Sequence, residues 1–258
     1  YKKFSDHIGA IPLVIISPDD RNLIIEGSET RRKFIDGIIC QTNKEYLNTL
    51  IDYNKTLKQR NALLKMFYND SENIKKTIDI YDNHLSSNAQ KIYERRTEFL
   101  SDFIPIFKIR YKQLSDDKEN VEIIHKTDIS ESQSLYKLLK NNLEKDLRFQ
   151  FTTKGIHKDD LTFSINSFSV KKYGSQGQQK TFLIALKLAQ FDYLSKLNSN
   201  PILLLDDIFD KLDDNRVKQI INLVNEEKFN QIFISDTNKI RSENIIKKVN
   251  KSYKIFEI

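Results

Sequence analysis

Glycine, proline and cysteine are scarce in this sequence, which has six glycines, four prolines and one cysteine among 258 residues. Because Cys40 stands alone, no disulfide can close within the chain, which excludes a disulfide-stabilised secreted scaffold. No apolar run approaches the roughly 18 residues that a membrane-spanning helix needs. We therefore expect neither a membrane protein nor a signal peptide. We interpret the opening at Tyr1, in mid-pattern, as that of a fragment or of a partly ordered chain.

The shortage of glycine is greatest in residues 38–154, which contain no glycine and only Pro105 as proline. Tight turns with positive φ depend on glycine, so this stretch favours long helices. Apolar residues recur at helical spacing over 35–64 and again over 74–103, where Pro105 is expected to end the helix. A third helix is predicted after Ser132. Cys40 is expected to be packed within the first of these helices.

Strand patterns flank the helical stretch. Residues 8–16 indicate a buried strand that ends at Ser17-Pro18, and residues 161–173 alternate like a β-hairpin. Further strands are predicted over 202–205 and 231–234, with helices after Gly174 and over 213–225. Alternation of this kind is typical of an α/β domain with a largely parallel sheet. The net charge of +6 is spread evenly, so it permits a nucleic-acid partner without requiring one.

Two acids follow the apolar segment of residues 202–205 directly: Asp206 and Asp207. A strand that is apolar on both faces lies inside a sheet, and its carboxyl end opens where α/β proteins bind ligands. Two carboxylates at that end suit Mg²⁺ bound to nucleotide phosphates, as at a Walker B strand. The alternative is a pair of solvated turn acids.

A loop of Gly, Ser and Gln residues, from Gly174 to Lys180, stands directly before a predicted helix, and a helix N-terminus favours phosphate. It is not a phosphate loop, because Gln179 replaces the second glycine of Gly-x4-Gly-Lys-Thr. Ser175-Gln176-Gly177-Gln178 resembles instead the Ser-Gly-Gly-Gln signature of ABC-type ATPases, and Asp213 resembles their D-loop aspartate. Simple helix capping is the other explanation for the glutamines. Signature, acidic strand and D-loop in this order are more specific than any one alone.

Longer runs narrow the resemblance to the RecF family of bacterial recombination mediators. The resemblance covers nearly the whole chain. Its runs are Ile15 to Asp20, Gly27-Ser28, Arg31 to Asp36, Leu57 to Lys65, Gly155 to Asp160, Tyr173 to Thr181, Leu186 to Ala189, Leu203 to Asp207, and Leu212 to Asp214. The family usually has proline where this chain has Ile156. The resemblance implies an α/β fold: part of an ABC-ATPase head, P-loop NTPase-like with a mainly parallel sheet and related to SMC proteins, with a long inserted α-helical arm. We expect the end of a first ATPase lobe over 1–27, the arm over 28–150 and a second lobe over 151–258.

The resemblance also implies a function. The expected protein binds DNA at single-strand gaps and junctions and along double strands, and helps RecO and RecR to load RecA in repair, recombination, replication and the SOS response. It would be cytoplasmic and nucleoid-associated, use ATP and Mg²⁺, and form an ATP-dependent homodimer. Two other functions stay open: the ATPase subunit of an ABC transporter, and a non-enzymatic fragment that binds DNA or a partner.

The same resemblance implies roles for individual residues. Asp206 would hold magnesium, and Asp207 stands where most ABC ATPases have the glutamate that orients the attacking water. The residues expected to contact nucleotide, partly from the opposite subunit, are Ser175, Gln176, Gly177, Gln178 and Asp213. The family's Walker A loop lies upstream of residues 8–16, and no Gly-x4-Gly-Lys-Ser/Thr occurs in this sequence. We therefore expect these 258 residues alone to bind ATP poorly and not to hydrolyse it; micromolar ATP affinity would contradict this.

Basic residues of the helical stretch are candidates for contacts with DNA phosphates: Arg31, Arg32, Lys58, Arg60, Arg95 and Arg96. Acids lie among them, so a solvated helix face is an equally good interpretation. His157, beside Asp159 and Asp160, invites a metal or general-base role, although a lone histidine next to a hairpin is more often structural.

Overall fold

The computed structural model describes residues 7–67, 71–130, 133–197, 200–207, 219–220, 222, 229–237, 243, 247 and 252–256, with backbone only at 71–73 and 75–76. The helices are α1 (Asn22–Ile25), α2 (Ser28–Thr42), α3 (Lys44–Met66), α4 (Ser71–Ser115), α5 (Leu135–Asn141), α6 (Leu143–Phe149), α7 (Val170–Tyr173) and α8 (Gln176–Lys196). The strands are β1 (Leu13–Ile16), β2 (Val121–Lys126), β3 (Asp160–Ile165), β4 (Phe168–Ser169), β5 (Ile202–Asp206) and β6 (Ile232–Ser235). None of the described helices is long and apolar enough to cross a membrane.

The sheet that carries the acidic strand is parallel and has the order β1-β5-β6. Ile16 pairs with Leu205, and Asp206 pairs with Ser235, so all three strands end at the same edge. Leu203 and Leu205 are 0% and 2% exposed, as a strand between two neighbours requires. The strands predicted over 202–205 and 231–234 are confirmed, whereas only the last four residues of 8–16 form a strand.

Helix α8 packs against β1 and is buried around most of its circumference. Its Phe182 ring lies 4.7 Å from the ring of Phe107 and 5.1 Å from that of Phe163, measured between centroids. Phe191 stacks on Phe229 at 4.4 Å. These aromatic contacts fix α8 in the core, so the loop at its N-terminus has a rigid support.

Asn43 divides the single helix expected over 35–64 into α2 and α3. Its backbone is extended (φ −138°), and its side chain accepts a hydrogen bond of 2.8 Å from the amide of Tyr46, which caps α3. The third predicted helix is likewise two helices, α5 and α6, on either side of Asn142. In both places the apolar spacing continues across the break, which is why the spacing predicted one helix.

Pro105 lies inside α4, so the expected end of that helix is wrong. Proline in a helix interior removes a hydrogen bond and costs about 3 kcal/mol. Phe99, Phe103 and Phe107 are each at most 2% exposed and continue the buried face on both sides of the proline. Their burial offsets the cost, since each ring contributes a comparable amount.

The predicted hairpin is shorter than expected. β3 pairs with β4 only at Ser164–Ser169 and Ile165–Phe168, after which α7 replaces the extended chain. The second sheet has the order β2-β3-β4. The helix predicted over 213–225 lies mainly outside the described residues.

The chain forms two compact units. The first comprises residues 1–8, 26–101 and 123–162, and the second comprises residues 9–25, 102–122 and 163–258. The division into domains at 1–27, 28–150 and 151–258 stays a prediction. The parallel sheet, α8, the acidic strand end and the Ser175 to Gln178 segment belong to the second unit, and the basic candidate residues belong to the first.

Candidate nucleotide-binding site

Asp206 and Asp207 end the central strand of the parallel sheet. The hydroxyl of Ser235, on the neighbouring strand, donates a hydrogen bond of 2.5 Å to Oδ1 of the exposed Asp206. The amide of Asp207 donates to the carbonyl of Ser235 at 3.0 Å. Asp207 takes a left-handed conformation (φ 46°), which aspartate tolerates better than most residues. The carboxylate of Asp206 and the backbone of Asp207 are thus held at the edge of the sheet by the end of β6.

This pair of acids fits a magnesium ion that is held mainly by a nucleotide. Mg²⁺ prefers oxygen ligands and commonly takes one or two carboxylates, with phosphates and water completing its shell. In the part of the chain that the structure describes, no cluster of three or more His, Cys, Asp or Glu side chains forms a metal cage. Asp206 and Asp207 therefore suit a shared ion and not a site built by protein alone.

Ser175 caps the N-terminus of α8 through a reciprocal pair of hydrogen bonds. Its hydroxyl accepts from the amide of Gln178 at 3.2 Å, and its own amide donates to Oε1 of Gln178 at 2.9 Å. Ser175 and Gln176 are exposed, and Gly177 is half-buried. The N-terminus of a 21-residue helix therefore faces solvent with a serine hydroxyl and a glycine at its tip. Such an end attracts anions.

Gly174 allows this turn to close. A Cβ at Gly174 would lie 2.6 Å from the carbonyl oxygen of Val170, closer than real Cβ atoms approach. The buried side chain of Gln179 donates to the carbonyl of Gly174 at 3.1 Å and to that of Val170 at 3.3 Å. Gln179 is thus part of the support of the turn, which agrees with rejecting a phosphate-loop role for this segment.

Glu119 holds the segment of residues 174–178 at the start of α8, through a contact that no sequence pattern predicts. Nε2 of Gln178 donates to Oε1 of Glu119 at 2.7 Å, and the hydroxyl of the buried Tyr111 donates to the other carboxylate oxygen. Glu119 lies 59 positions before Gln178, and no local pattern connects the two. Gln178 therefore both caps α8 and ties its N-terminus to the segment that follows α4.

Asp20 makes a second unforeseen link. It accepts a hydrogen bond of 2.8 Å from the amide of Ser17, directly after β1, and forms a 2.7 Å ion pair with Lys187 of α8. Both charged side chains are less than one-fifth exposed, which strengthens the pair relative to a surface one. Asp20 thus fixes α8 to the same edge of the sheet at which Asp206 lies.

Asp213, the expected D-loop aspartate, lies outside the described residues.

Arg60 and Arg96 are buried and paired with acids inside the protein, which contradicts their assignment to DNA phosphates. Arg60 is 0% exposed and donates to Asp82 at 2.6 Å and to Asp146 at 2.7 Å. Arg96 is 1% exposed and pairs with Asp36 and Asp159, each at 2.8 Å. Burial opposes the charge of Arg96, but the two carboxylates outweigh it and raise its pKa. Buried cations held by two acids stabilise the fold and are not available to a ligand.

Arg31 is also engaged within the protein. It is 7% exposed and donates to both carboxylate oxygens of Asp160, at 2.7 and 3.1 Å. Arg32 is half-buried, and its guanidinium donates to the hydroxyl of Ser28 and to the carbonyl of Asp159; burial lowers its pKa. Assigning Arg31 to DNA is wrong for the same reason as for Arg60.

Lys58 and Arg95 keep their exposure. Lys58 lies on the exposed face of α3. The side chain of Arg95 is 48% exposed and pairs with Glu98 at 2.6 Å, a surface ion pair of small strength. These two residues stay candidates for phosphate contacts.

His157 has a structural role. Its Nδ1 accepts from the hydroxyl of Tyr53 at 2.8 Å, and its Nε2 donates to the carbonyl of Thr152 at 3.0 Å. Burial lowers the pKa of His157 to about 4, so the ring is neutral near pH 7. Gly155 is required here, because its φ is 132° and a Cβ would lie 2.8 Å from the Tyr53 hydroxyl.

A parallel sheet with an acidic edge and a capped Ser-x-Gly-Gln helix start defines the class: part of an ABC-ATPase head with inserted helices. No family model matches the chain. The DNA replication and repair protein RecF of Flavobacterium johnsoniae is 52% identical over 259 residues, which cover all of this chain and 72% of that protein. The chain therefore belongs to the RecF family of DNA replication and repair proteins.

Solved structures agree. The recombination mediator protein RecF-ATPrS of the RecFOR pathway superposes with a TM-score of 0.81 at 30% identity, covering 93% of this chain and 66% of that one. The corresponding RecF-ATP structure has a TM-score of 0.77 at 32% identity, with 90% and 64% covered. The resemblance to the family and the fold class are thus confirmed. The chain spans about two-thirds of the length of these solved relatives.

Proposed function

We propose that the protein is an ATP-dependent DNA-binding protein of recombinational repair. It acts at single-strand gaps and junctions, where it helps RecO- and RecR-like partners to load RecA at the bacterial nucleoid. The relatives in DNA replication and repair support a place in DNA repair, and the solved RecF-ATP and RecF-ATPrS structures support ATP as the ligand. The DNA partner, the other proteins and the cytoplasmic location are all part of this proposal.

The observation that carries the proposal is the exposed, capped start of α8. A helix N-terminus whose tip presents the Ser175 hydroxyl and Gly177 can accept the γ-phosphate of a nucleotide bound to a second copy of the protein. Each nucleotide would then complete its site from two chains, so ATP would hold a homodimer together. Gln176 and Asp213 would add contacts from the same subunit as Ser175.

The acids at the edge of the sheet would serve the bound nucleotide. Asp206, oriented by Ser235, would hold a Mg²⁺ ion, which would neutralise charge on the nucleotide phosphates. Asp207 would orient the attacking water in place of the glutamate of most ABC ATPases. Its side chain is one methylene shorter, and a misplacement of about 1 Å can cost roughly a hundredfold in rate. Hydrolysis is then slow, and its rate sets the lifetime of the ATP-bound dimer.

ATP hydrolysis by the full-length protein, measured with and without gapped DNA, tests the proposal. We expect slow turnover that gapped DNA changes, and we expect Asp207→Asn to abolish turnover while the ATP-bound dimer accumulates. A rate of ATP hydrolysis that gapped DNA does not change would favour a transporter-type subunit. Absence of hydrolysis would favour a non-enzymatic binding role. Unchanged turnover in Asp207→Asn would contradict the role of that carboxylate.

A further inference from the structure

The loop after α6 is held by an unusual number of buried polar contacts. The amide and hydroxyl of Thr152, which is 1% exposed, donate to Oδ1 of Asn61 at 2.8 and 2.7 Å. Arg60 donates to the same Thr152 hydroxyl at 2.9 Å. The buried Asp146 accepts from the amide and hydroxyl of Thr153 at 2.9 and 2.6 Å. Residues 149–154 are therefore fixed against α3 and α6.

The end of α6 and this fixed loop expose one aromatic ring each. Phe149 is 55% exposed and Phe151 is 41% exposed, and their ring centroids lie 5.8 Å apart. Nζ of Lys158 lies 4.9 Å from the centroid of Phe151, a cation–π contact. We call Phe149, Phe151 and Lys158 the aromatic platform. Core packing does not account for two adjoining exposed rings on a rigid loop, and such a surface indicates a binding site.

The platform lies in a region of positive charge. Residues 147–158 and 53–67 contain no Asp or Glu. The hydrogen bonds between Asn61 and Thr152 bring these two segments together. The cations of the two segments, apart from the buried Arg60, are Lys55, Lys58, Lys65, Arg148, Lys154 and Lys158.

Two of these lysines are placed beside the loop by helix geometry. Lys58 and Lys65 are exposed and stand three residues before and four residues after Asn61, so all three share one face of α3. Of the acids that border residues 147–158, Asp146 and Asp159 are buried and Asp160 is paired with Arg31. Farther out, Asp128 pairs with Lys154 at 2.9 Å, and Glu144 is exposed. The surface around the rings therefore matches a polyanion.

We propose that the aromatic platform stacks the unpaired bases of single-stranded DNA, with the lysines around it contacting the phosphates. Base faces stack on aromatic rings whatever the sequence, and cations along the path attract the backbone. A continuous duplex hides its base faces, so the platform distinguishes single strands from double strands. The inference rests on the proposed binding of DNA and adds the part of the surface that recognises the unpaired strand.

The test compares two DNA forms on the full-length protein. Phe149→Ala combined with Phe151→Ala should weaken binding of labelled oligothymidine about tenfold, the loss expected for one or two stacked bases. Binding of a blunt duplex should change less than about twofold, since its bases are not accessible. Ile80→Ala, which removes a 72% exposed apolar side chain in the same compact unit, is the matched control and should change neither.

A fluorescent variant reports stacking directly. The chain contains no tryptophan. Phe151→Trp should keep the affinity for oligothymidine and add an emission, measured as the difference from the wild type, that the oligonucleotide quenches. Lys58→Ala should weaken both DNA forms and reduce the salt slope for single strands by about 0.7.

Three outcomes would overturn the inference. They are unchanged oligothymidine affinity in the double variant, an equal loss on both DNA forms, and a loss of RecR-like protein binding with DNA binding intact. Normal DNA binding by the wild type and by the double variant would refute the platform alone. A wild-type protein that binds neither DNA form would refute the proposed function as well.

Discussion

Buried ion pairs contribute strongly to the stability of the first compact unit. Arg60 joins Asp82 and Asp146, and both of its ion pairs are completely buried. Desolvation raises the pKa of Asp82 even though Arg60 opposes the shift. A buried arginine with two carboxylates cannot be removed without leaving charge uncompensated, so this cluster is far more sensitive to mutation than any surface pair.

Arg60→Ala should lower the free energy of unfolding by about 3–5 kcal/mol, because it strands two buried carboxylates. Urea unfolding followed by circular dichroism measures the loss. Arg95→Ala is the control: its ion pair with Glu98 is exposed, so the change should stay below about 1 kcal/mol. Equal losses in the two variants would contradict the buried cluster.

His157 should make stability depend on pH. Its folded pKa of about 4 lies below the ordinary value of 6.5, so the unfolded chain binds the proton first as pH falls. Its contribution is complete above pH 6.5 and is lost as pH falls toward 4, by about 2 kcal/mol at pH 5. His157→Gln should remove this part of the pH dependence, as urea unfolding at pH 7 and 5 would show. An unchanged dependence in the variant would count against a buried neutral imidazole.

At the scale of secondary-structure elements, a capping side chain can start a new helix where the spacing of apolar residues predicts one continuous helix. The helical spacing over 35–64 predicts one helix, but the hydrogen bond from the amide of Tyr46 to the Asn43 side chain starts a new one. Asn43 was visible in the sequence, and an asparagine two residues before Glu45 is typical of a helix start. Pro105 shows the reverse case, in which tertiary packing of α4 overrides a local breaker.

Asn43→Ala should lower the free energy of unfolding by about 1 kcal/mol through loss of this cap. Asn43→Asp keeps an acceptor oxygen at the same position and should restore most of the stability. The thermal midpoint from circular dichroism is sufficient to rank the three proteins. If alanine were as stable as asparagine, the cap would have no energetic role.

At the scale of the whole molecule, sequence motifs predicted the positions of the acidic strand end at Asp206-Asp207 and of the helix start at Ser175 to Gln178. Each motif is a short run of consecutive residues, so its members also lie together in the fold. Contacts between distant residues were not predictable: Ser235 meets Asp206 only through strand register, and Glu119 meets Gln178 only through the packing of α4. Arg31, Arg60 and Arg96 were misassigned for a related reason, since charge in a helical pattern does not reveal which arginine is buried against distant acids.

The central claim is that ATP joins two copies through the start of α8. Light scattering after size-exclusion chromatography of the full-length protein, with and without ATP, measures this directly. The account predicts an ATP-dependent dimer for the wild type and for Ser87→Arg, an exposed position on α4, and a monomer that still binds ATP for Ser175→Arg. A Ser175→Arg protein that dimerises with ATP like the wild type would contradict the account.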